Sequence, residues 1–409
     1  MNYIDLFAGA GGLSEGFTRN NFSPVAHVEM DAEACNTLRT RIAYHYLKSK
    51  NKLSVYNEYL LGKITRDELY NVIPASELNS VIQKKIDDST IEEIFNKIDS
   101  LVGLKKIHLI IGGPPCQAYS VVGRSRVGKS IKDDDRNFLF KYYAEFLKRY
   151  KPDYFVFENV TGLLTAQDYF QQMKTLFESE TVGYKVDHKV LDASEFGVLQ
   201  TRKRVIIIGK RDCTSFKFPE FNTIENRWKI KDDLFSDLPA LKPGGGKNIM
   251  EYSCNSTEYL TKFELRNGVT FVTQHITRPH NERDLEIYRI AIKKWLKSRK
   301  RLLYTELPEE LKTHNNQKSF LDRYKVVNPF GCCHTMVAHI SKDGHYYIYP
   351  DLNQVRSISV REAARIQSFP DDYYFEGGRG AAFKQIGNAV PPLMAKEIAR
   401  WLYNIMSHE

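Results

Sequence analysis

Cys116 follows directly on an apolar run, Leu109-Ile110-Ile111-Gly112-Gly113-Pro114-Pro115, and precedes Gln117. A branched apolar stretch halted by two glycines and two prolines reads as a buried strand that stops abruptly, and chemistry tends to sit where such strands end. A packed, inert thiol would look the same, so the choice rests on whether other residues could act with the sulfur. One candidate is Glu158, in Glu158-Asn159-Val160 at the tip of the apolar strand Tyr154-Phe155-Val156-Phe157. Desolvation there is expected to favour the protonated carboxyl, as a proton donor near neutrality needs, although a structural ion pair is the alternative. Another is the pair Arg202 and Arg204 in Gln200-Thr201-Arg202-Lys203-Arg204, which opens the strand Val205-Ile206-Ile207-Ile208. Two arginines two apart at strand spacing point to one side and could hold a carboxylate or phosphate there; a charged strand edge is the alternative.

These groups need a scaffold, and the amino terminus supplies its pattern. Tyr3-Ile4-Asp5-Leu6-Phe7 reads as a strand, Ala8-Gly9-Ala10-Gly11-Gly12 as a turn and Leu13 to Phe17 as a helix, the opening of a nucleotide-binding α/β unit. A dinucleotide fingerprint would have a third glycine where Ser14 stands, and no Gly-Lys-Ser/Thr phosphate loop follows, which argues against NAD and ATP. A second strand, Pro24 to Val28, ends at Glu29-Met30-Asp31, so Glu29 lies where a ribose diol would be gripped, while Asp31 suits a helix N-cap. Within the charged, helical stretch 41–100, Ile86-Asp87-Asp88-Ser89-Thr90 could offer a carboxylate to an adenine amino group or cap the helix beginning at Ile91. Near the carboxyl end a short helix from Val360 to Gln367 is halted by Ser368-Phe369-Pro370. Gln385-Ile386-Gly387-Asn388-Ala389-Val390-Pro391-Pro392 then makes a turn before an amphipathic closing helix, Leu393 to Ile405.

The 409 residues suffice for two or three domains, and a net charge of +9 with a pI near 9.0 suggests a polyanionic partner without proving one, since 50 acidic residues are mixed with 59 basic ones. Six cysteines without a CxxC pair fit a reducing compartment, and vicinal Cys332-Cys333 reads as packing. Histidines 334, 339 and 345 match no ligand spacing, so no metal is expected. Neither a leader nor an apolar run long enough to cross a bilayer is present, and a soluble intracellular protein is expected. Between about residues 211 and 355, glycine turns, aromatics, scattered lysines and arginines and short strands suggest a second, smaller domain; its segment His275 to Asp284 and basic helix Tyr288 to Arg301 could face a nucleic acid. The glycine-punctuated basic loop from 117 to 132 could contact phosphates.

Taken in order, DLFAGAGG (5–12), VEMD (28–31), GGPPCQAYS (112–120), FENV (157–160), QTRKR (200–204), REAARIQSFP (361–370) and QIGNAVPP (385–392) closely resemble the DNA (cytosine-5)-methyltransferase family. The resemblance implies an α/β, Rossmann-like S-adenosylmethionine-dependent fold, a mixed, mostly parallel sheet with helices on both faces. Its catalytic domain would span 1–222 and 379–409, and a target-recognition domain 223–378. It implies S-adenosylmethionine as cofactor, held by Phe7, Gly9, Gly11, Gly12, Glu29, Met30, Asn388 and Val390, with Asp88 as the weakest match because the motif around it is degenerate. It implies Cys116 as nucleophile toward carbon 6 of a flipped cytosine, Glu158 at ring nitrogen 3, and Arg204 with Arg202 orienting Glu158 and the base carbonyl. Gln117, Ser120, Arg124 and Arg126 would contact double-stranded DNA. A monomer acting in the bacterial cytoplasm, on the nucleoid, alongside a cognate restriction endonuclease would fit. Some members modify tRNA, and a catalytically silent DNA-binding protein is a further alternative.

Overall fold

The computed structural model describes residues 1–115, 138–313 and 318–408. Cys116, Gln117, Ser120, Arg124 and Arg126 therefore lie outside the described residues. Seven strands form one sheet in the order β3-β2-β1-β4-β5-β7-β6. They are β1 (Asn2–Leu6), β2 (Ser23–Glu29), β3 (Val81–Gln83), β4 (Leu109–Gly112), β5 (Tyr154–Val160), β6 (Tyr184–Asp192) and β7 (Lys203–Arg211). The first five pair in parallel, while β7 runs antiparallel to both of its neighbours. The strands expected from apolar, β-branched runs are all present, and the sheet is mixed and mostly parallel as the motif order implies.

Period-two alternation gives each central strand two apolar faces, so both sides of the sheet must be covered. Tyr3, Leu109, Ile111, Tyr154, Val156, Ile206 and Ile208 lie in one buried cluster with residues of the helices Gly12–Thr18 and Pro392–His408. Ile4, Leu6, Ile110, Phe155, Phe157, Val205 and Ile207 lie in another, against the helices Ile91–Val102, Leu139–Tyr150 and Gln167–Glu178. The stretch read as a charged helical insertion forms the long helix Ala32–Ser49 and three short helices with a small core of their own. Further along, β8 (Gly246–Glu251) and β9 (Phe271–Ile276) make a separate antiparallel pair, and the helix Glu282–Ser298 packs on Leu302, Tyr304, Tyr324 and Ile348.

The short helix Val360–Ile366 joins these parts. Ser359 and Glu362 form a reciprocal capping box that fixes its start. Its residues Val360, Ala363, Ala364 and Ile366 share one apolar core with Leu13, Phe17 and Leu393 and also with Phe235 and Leu238. Charge reinforces the junction. The fully buried Arg365 guanidinium donates to both oxygens of Asp371, at 2.9 and 2.6 Å, and to both of Asp237, at 2.5 and 3.1 Å. Removing the cation alone would take the principal partner from two buried carboxylates, leaving Asp237 with Arg266 and Asp371 with the Tyr252 hydroxyl and a more distant Arg361. Arg365→Ala is expected to destabilise the protein by about 3–5 kcal/mol, seen as a lowered thermal unfolding midpoint.

Candidate active site

Parallel pairing brings the carboxyl ends of β1, β2, β4 and β5 to one edge of the sheet. Because β7 is antiparallel, its first residues rather than its last reach that edge, and Arg204 stands opposite Val160 of β5. Residues read separately along the chain thus meet.

On one side is the turn after β1. Phe7, Gly9 and Gly11 have φ of 55°, 55° and 79°, the left-handed region that costs a non-glycine residue energy. Gly12 is required by contact, since a Cβ there would lie 2.3 Å from the Val390 carbonyl oxygen. The first and last motifs of the chain therefore touch. Glu29 accepts hydrogen bonds at 2.8 Å from the amides of Gly9, Met30 and Asp31, which lock its carboxylate between the tips of β1 and β2. Met30 is 60% exposed beside it, an unusual position for so apolar a side chain. Asp31 is the N-cap of the helix Ala32–Ser49, accepting from the Glu33 and Ala34 amides, as read from the sequence. Asp88 is exposed and accepts from the Tyr142 hydroxyl at 2.8 Å, whereas Asp87 forms the turn before the helix Ile91–Val102 through Ser89. Asn388 is exposed at the end of the helix Arg379–Asn388, and Val390 is buried.

On the other side are Glu158 and Arg204, whose carboxylate and guanidinium pair at 2.7 Å with 13% of each side chain exposed. The carboxyl group at the apolar strand tip is ion-paired, the alternative weighed from the sequence, and its partner is the Arg204 that the resemblance sets beside it. Gly113 leaves room for it, because a Cβ at 113 would sit 2.7 Å from Glu158 Oε2. Asn159 Nδ2 donates to the Pro114 carbonyl at 3.2 Å and so fixes the backbone two residues ahead of Cys116.

Arg202 departs from its expected place. Arg204 lies in β7 but Arg202 precedes it, so strand alternation does not align the two. The Arg202 side chain is 1% exposed and its guanidinium donates to the carbonyls of Met336 and Gly387, with no ion pair to Glu158. Burial, and secondarily the Arg204 charge, pushes its pKa down. Arg202 thus makes no direct contact with Glu158 among the described residues, although it lies close enough to feel its charge, and its guanidinium holds the Gly387 turn.

Gln200 and Gln367 complete that clamp, and sequence reasoning gave neither a role. Gln200 is fully buried, its Oε1 accepting from the Met336 amide at 2.6 Å and its Nε2 donating to Gln367 Oε1 at 2.7 Å. Gln367 Nε2 in turn donates to the Ile386 and Ala389 carbonyls at 2.6 and 3.2 Å. Gly387 leaves no space either, since a Cβ there would lie 2.3 Å from the Ala338 amide nitrogen. Both glutamines stood in recognised motifs, but only contacts between distant segments reveal what they hold.

An acid locked at the tip of β2, an exposed apolar residue beside it and a glycine turn with no phosphate-binding lysine suit a nucleoside carrying no phosphate. No group of His, Cys, Asp and Glu able to hold a metal exists among the described residues, and no helix among them is long and apolar enough to cross a membrane.

The fold matches solved methyltransferases. A candidate DNA modification methyltransferase encoded within an E. coli prophage superposes with a TM-score of 0.61 at 22% identity, covering 100% of this chain and 99% of that one. The Entamoeba histolytica methyltransferase EhMeth gives 0.55 at 14% identity, covering 99% and 98%. The family model of the C-5 cytosine-specific DNA methylases matches residues 1–64 and 68–404, and the chain belongs to this family. Among its relatives are the type II methyltransferase M.Bpa9945I of Bacillus paralicheniformis, 43% identical over 100% of this chain and 99% of the relative. The type II methyltransferase M1.HphI of Haemophilus parahaemolyticus is 29% identical over 100% and 88%. The protein is a DNA (cytosine-5)-methyltransferase, and its cofactor is S-adenosylmethionine.

Gly113→Ala tests the close approach of the β4 turn to Glu158. The atom in the way is the free end of a side chain, so folding is expected to survive while the carboxylate is displaced from Arg204. Methyl transfer should fall at least about tenfold, or roughly 1.4 kcal/mol in barrier, with an unchanged unfolding midpoint; unaltered turnover would show that the pairing geometry is immaterial.

Proposed function

We propose that the enzyme methylates carbon 5 of a cytosine within a specific duplex sequence, with Cys116 as nucleophile and Glu158 and Arg204 as the groups that answer it. The observation that carries this reading is the Glu158–Arg204 pair at 2.7 Å, set against Gly113 three residues before Cys116. Three residues span at most about 11 Å, which supports assigning nucleophile and pair to one site.

Carbon 5 of cytosine is a poor nucleophile. Addition of the Cys116 thiolate to carbon 6 forms a carbon–sulfur bond and moves the ring π electrons toward carbon 5, while charge on the ring is relieved by protonation or strong hydrogen bonding at nitrogen 3, the role of Glu158. Arg204 keeps Glu158 aimed and can donate to the base carbonyl. When bound, S-adenosylmethionine supplies the electrophilic methyl group; Phe7, the Gly9–Gly12 turn, Glu29, Met30, Asn388 and Val390 would hold it, with Asp88 from the segment between β3 and the helix Ile91–Val102. A base then removes the carbon 5 proton, the electron pair re-forms the ring double bond and the thiolate leaves. A carbon stacked inside a duplex is out of reach of such a pocket, so the target base is flipped out at a cost of a few kcal/mol. Gln117, Ser120, Arg124 and Arg126 are the side chains assigned to DNA contact.

Residues 223–378 form the target-recognition domain, and the protein acts as a monomer on bacterial DNA in the cytoplasm, as the modification partner of a restriction endonuclease. The relatives named type II methyltransferases support that setting. They also favour DNA over tRNA, and equal methyl transfer to tRNA would overturn the preference. Cys116→Ala is expected to keep cofactor and DNA binding and lose methyl transfer; retained activity sinks the nucleophile assignment. Duplex carrying 5-fluorocytosine at the target should trap a complex that survives denaturant, because fluorine cannot leave as a proton does.

A further inference from the structure

From the carboxyl end of the helix Glu282–Ser298 onward, residues 293–301 carry six basic side chains and no acid, Lys293, Lys294, Lys297, Arg299, Lys300 and Arg301. Two of the six are neutralised: Lys294 pairs with Glu306, and Arg301 with Asp322 at 3.1 Å, which also binds Lys325. Glu306 feels Lys300 as well. Lys293, Lys297 and Lys300 are exposed and make no ion pair among the described residues. Lys293 and Lys297 are four apart and share a helix face, with half-exposed Leu296 on the same side. The helix carboxyl end favours cations, which helps hold so much like charge in place. Arg299, left-handed at the helix end with φ of 58°, lays its guanidinium over the exposed ring of Phe330 at 3.9 Å.

Phe330 ties this ridge to the catalytic edge. Three residues on, the Cys333 amide donates to the Leu199 carbonyl and the Thr201 amide to the Cys333 carbonyl, both at 2.9 Å, in a bridge beside Gln200. Three residues beyond Thr201 stands Arg204, on Glu158. Six residue steps of up to ~3.6 Å and one strand spacing of ~5 Å keep the Phe330 and Arg204 backbones within about 30 Å. A full turn of duplex is about 34–36 Å.

We infer that Lys293, Lys297 and Lys300, with Arg299 braced on Phe330, form a sequence-independent clamp on the DNA phosphates, its Phe330 end lying within one helical turn of Arg204. The inference rests on the proposed duplex-DNA reading and adds to it where the backbone is held. Phosphate contacts carry no sequence information but release counterions, so their number is read from salt dependence. The combined variant Lys293→Gln, Lys297→Gln, Lys300→Gln should make the slope of log affinity against log salt shallower by about 2.7, at ~0.9 per lost contact. Cognate and unrelated duplexes should weaken alike. S-adenosylmethionine binding should not change. Each single variant, should the combination fail to fold, is expected to remove about 0.9 from the slope. An unchanged slope, or a loss confined to the cognate sequence, overturns the clamp. A wild-type enzyme that methylates no duplex would instead overturn the underlying reading.

Discussion

The reversed direction of β7 is the constraint on which the site depends. In a wholly parallel sheet the residues leading into a strand lie at the opposite edge from those leaving one, and Arg204 would be a strand length away from Glu158. With β7 antiparallel to β5, the start of one strand and the end of the other share an edge, and the 2.7 Å pair forms between them. The pair needs one more concession, the missing side chain at Gly113, which brings the backbone leading to Cys116 against the same carboxylate.

The Gly387 turn is held by the stretch leading into the same strand. Gln200 and Arg202, immediately before β7, bind Met336, and together with Gln367 they hold the carbonyls of Ile386, Gly387 and Ala389. The Gly387 turn then lies against Gly12 through Val390. Side-chain amides and a guanidinium satisfy carbonyls that burial would otherwise leave unpaired, so the clamp is costly to disturb. Groups on both sides of the reaction therefore take their positions from one stretch, 200–204.

Buried charge does related work where the segment 223–378 meets the sheet domain. Arg41 binds Glu15 and Asp372, Arg356 binds Glu362, and Arg365 binds Asp237 and Asp371. Buried pairs of this kind contribute little net stability against apolar packing, but each is expensive to break on one side. They favour one relative placement of segments that apolar packing alone would specify less sharply.

The amino-acid sequence by itself determined the apolar strands β1, β2, β4, β5 and β7, though not the edge strands β3 and β6, together with the glycine turn, the acid at the tip of β2 and the ordered motifs that mark the family, because these are local patterns or depend on residue type alone. It also determined that Asp31 caps a helix. Tertiary structure decided what those residues touch. Arg202 and Arg204 look equivalent two residues apart, yet one ends on Glu158 and the other on Gly387, since the strand begins between them. An ion pair was open for Glu158 from its place at an apolar strand tip, but that the partner reaches it from a strand of opposite direction some fifty residues later is decided by the sheet. Gln200 and Gln367 carried no local signal for their roles, because a hydrogen bond across more than a hundred residues is written in the packing and nowhere in the spacing.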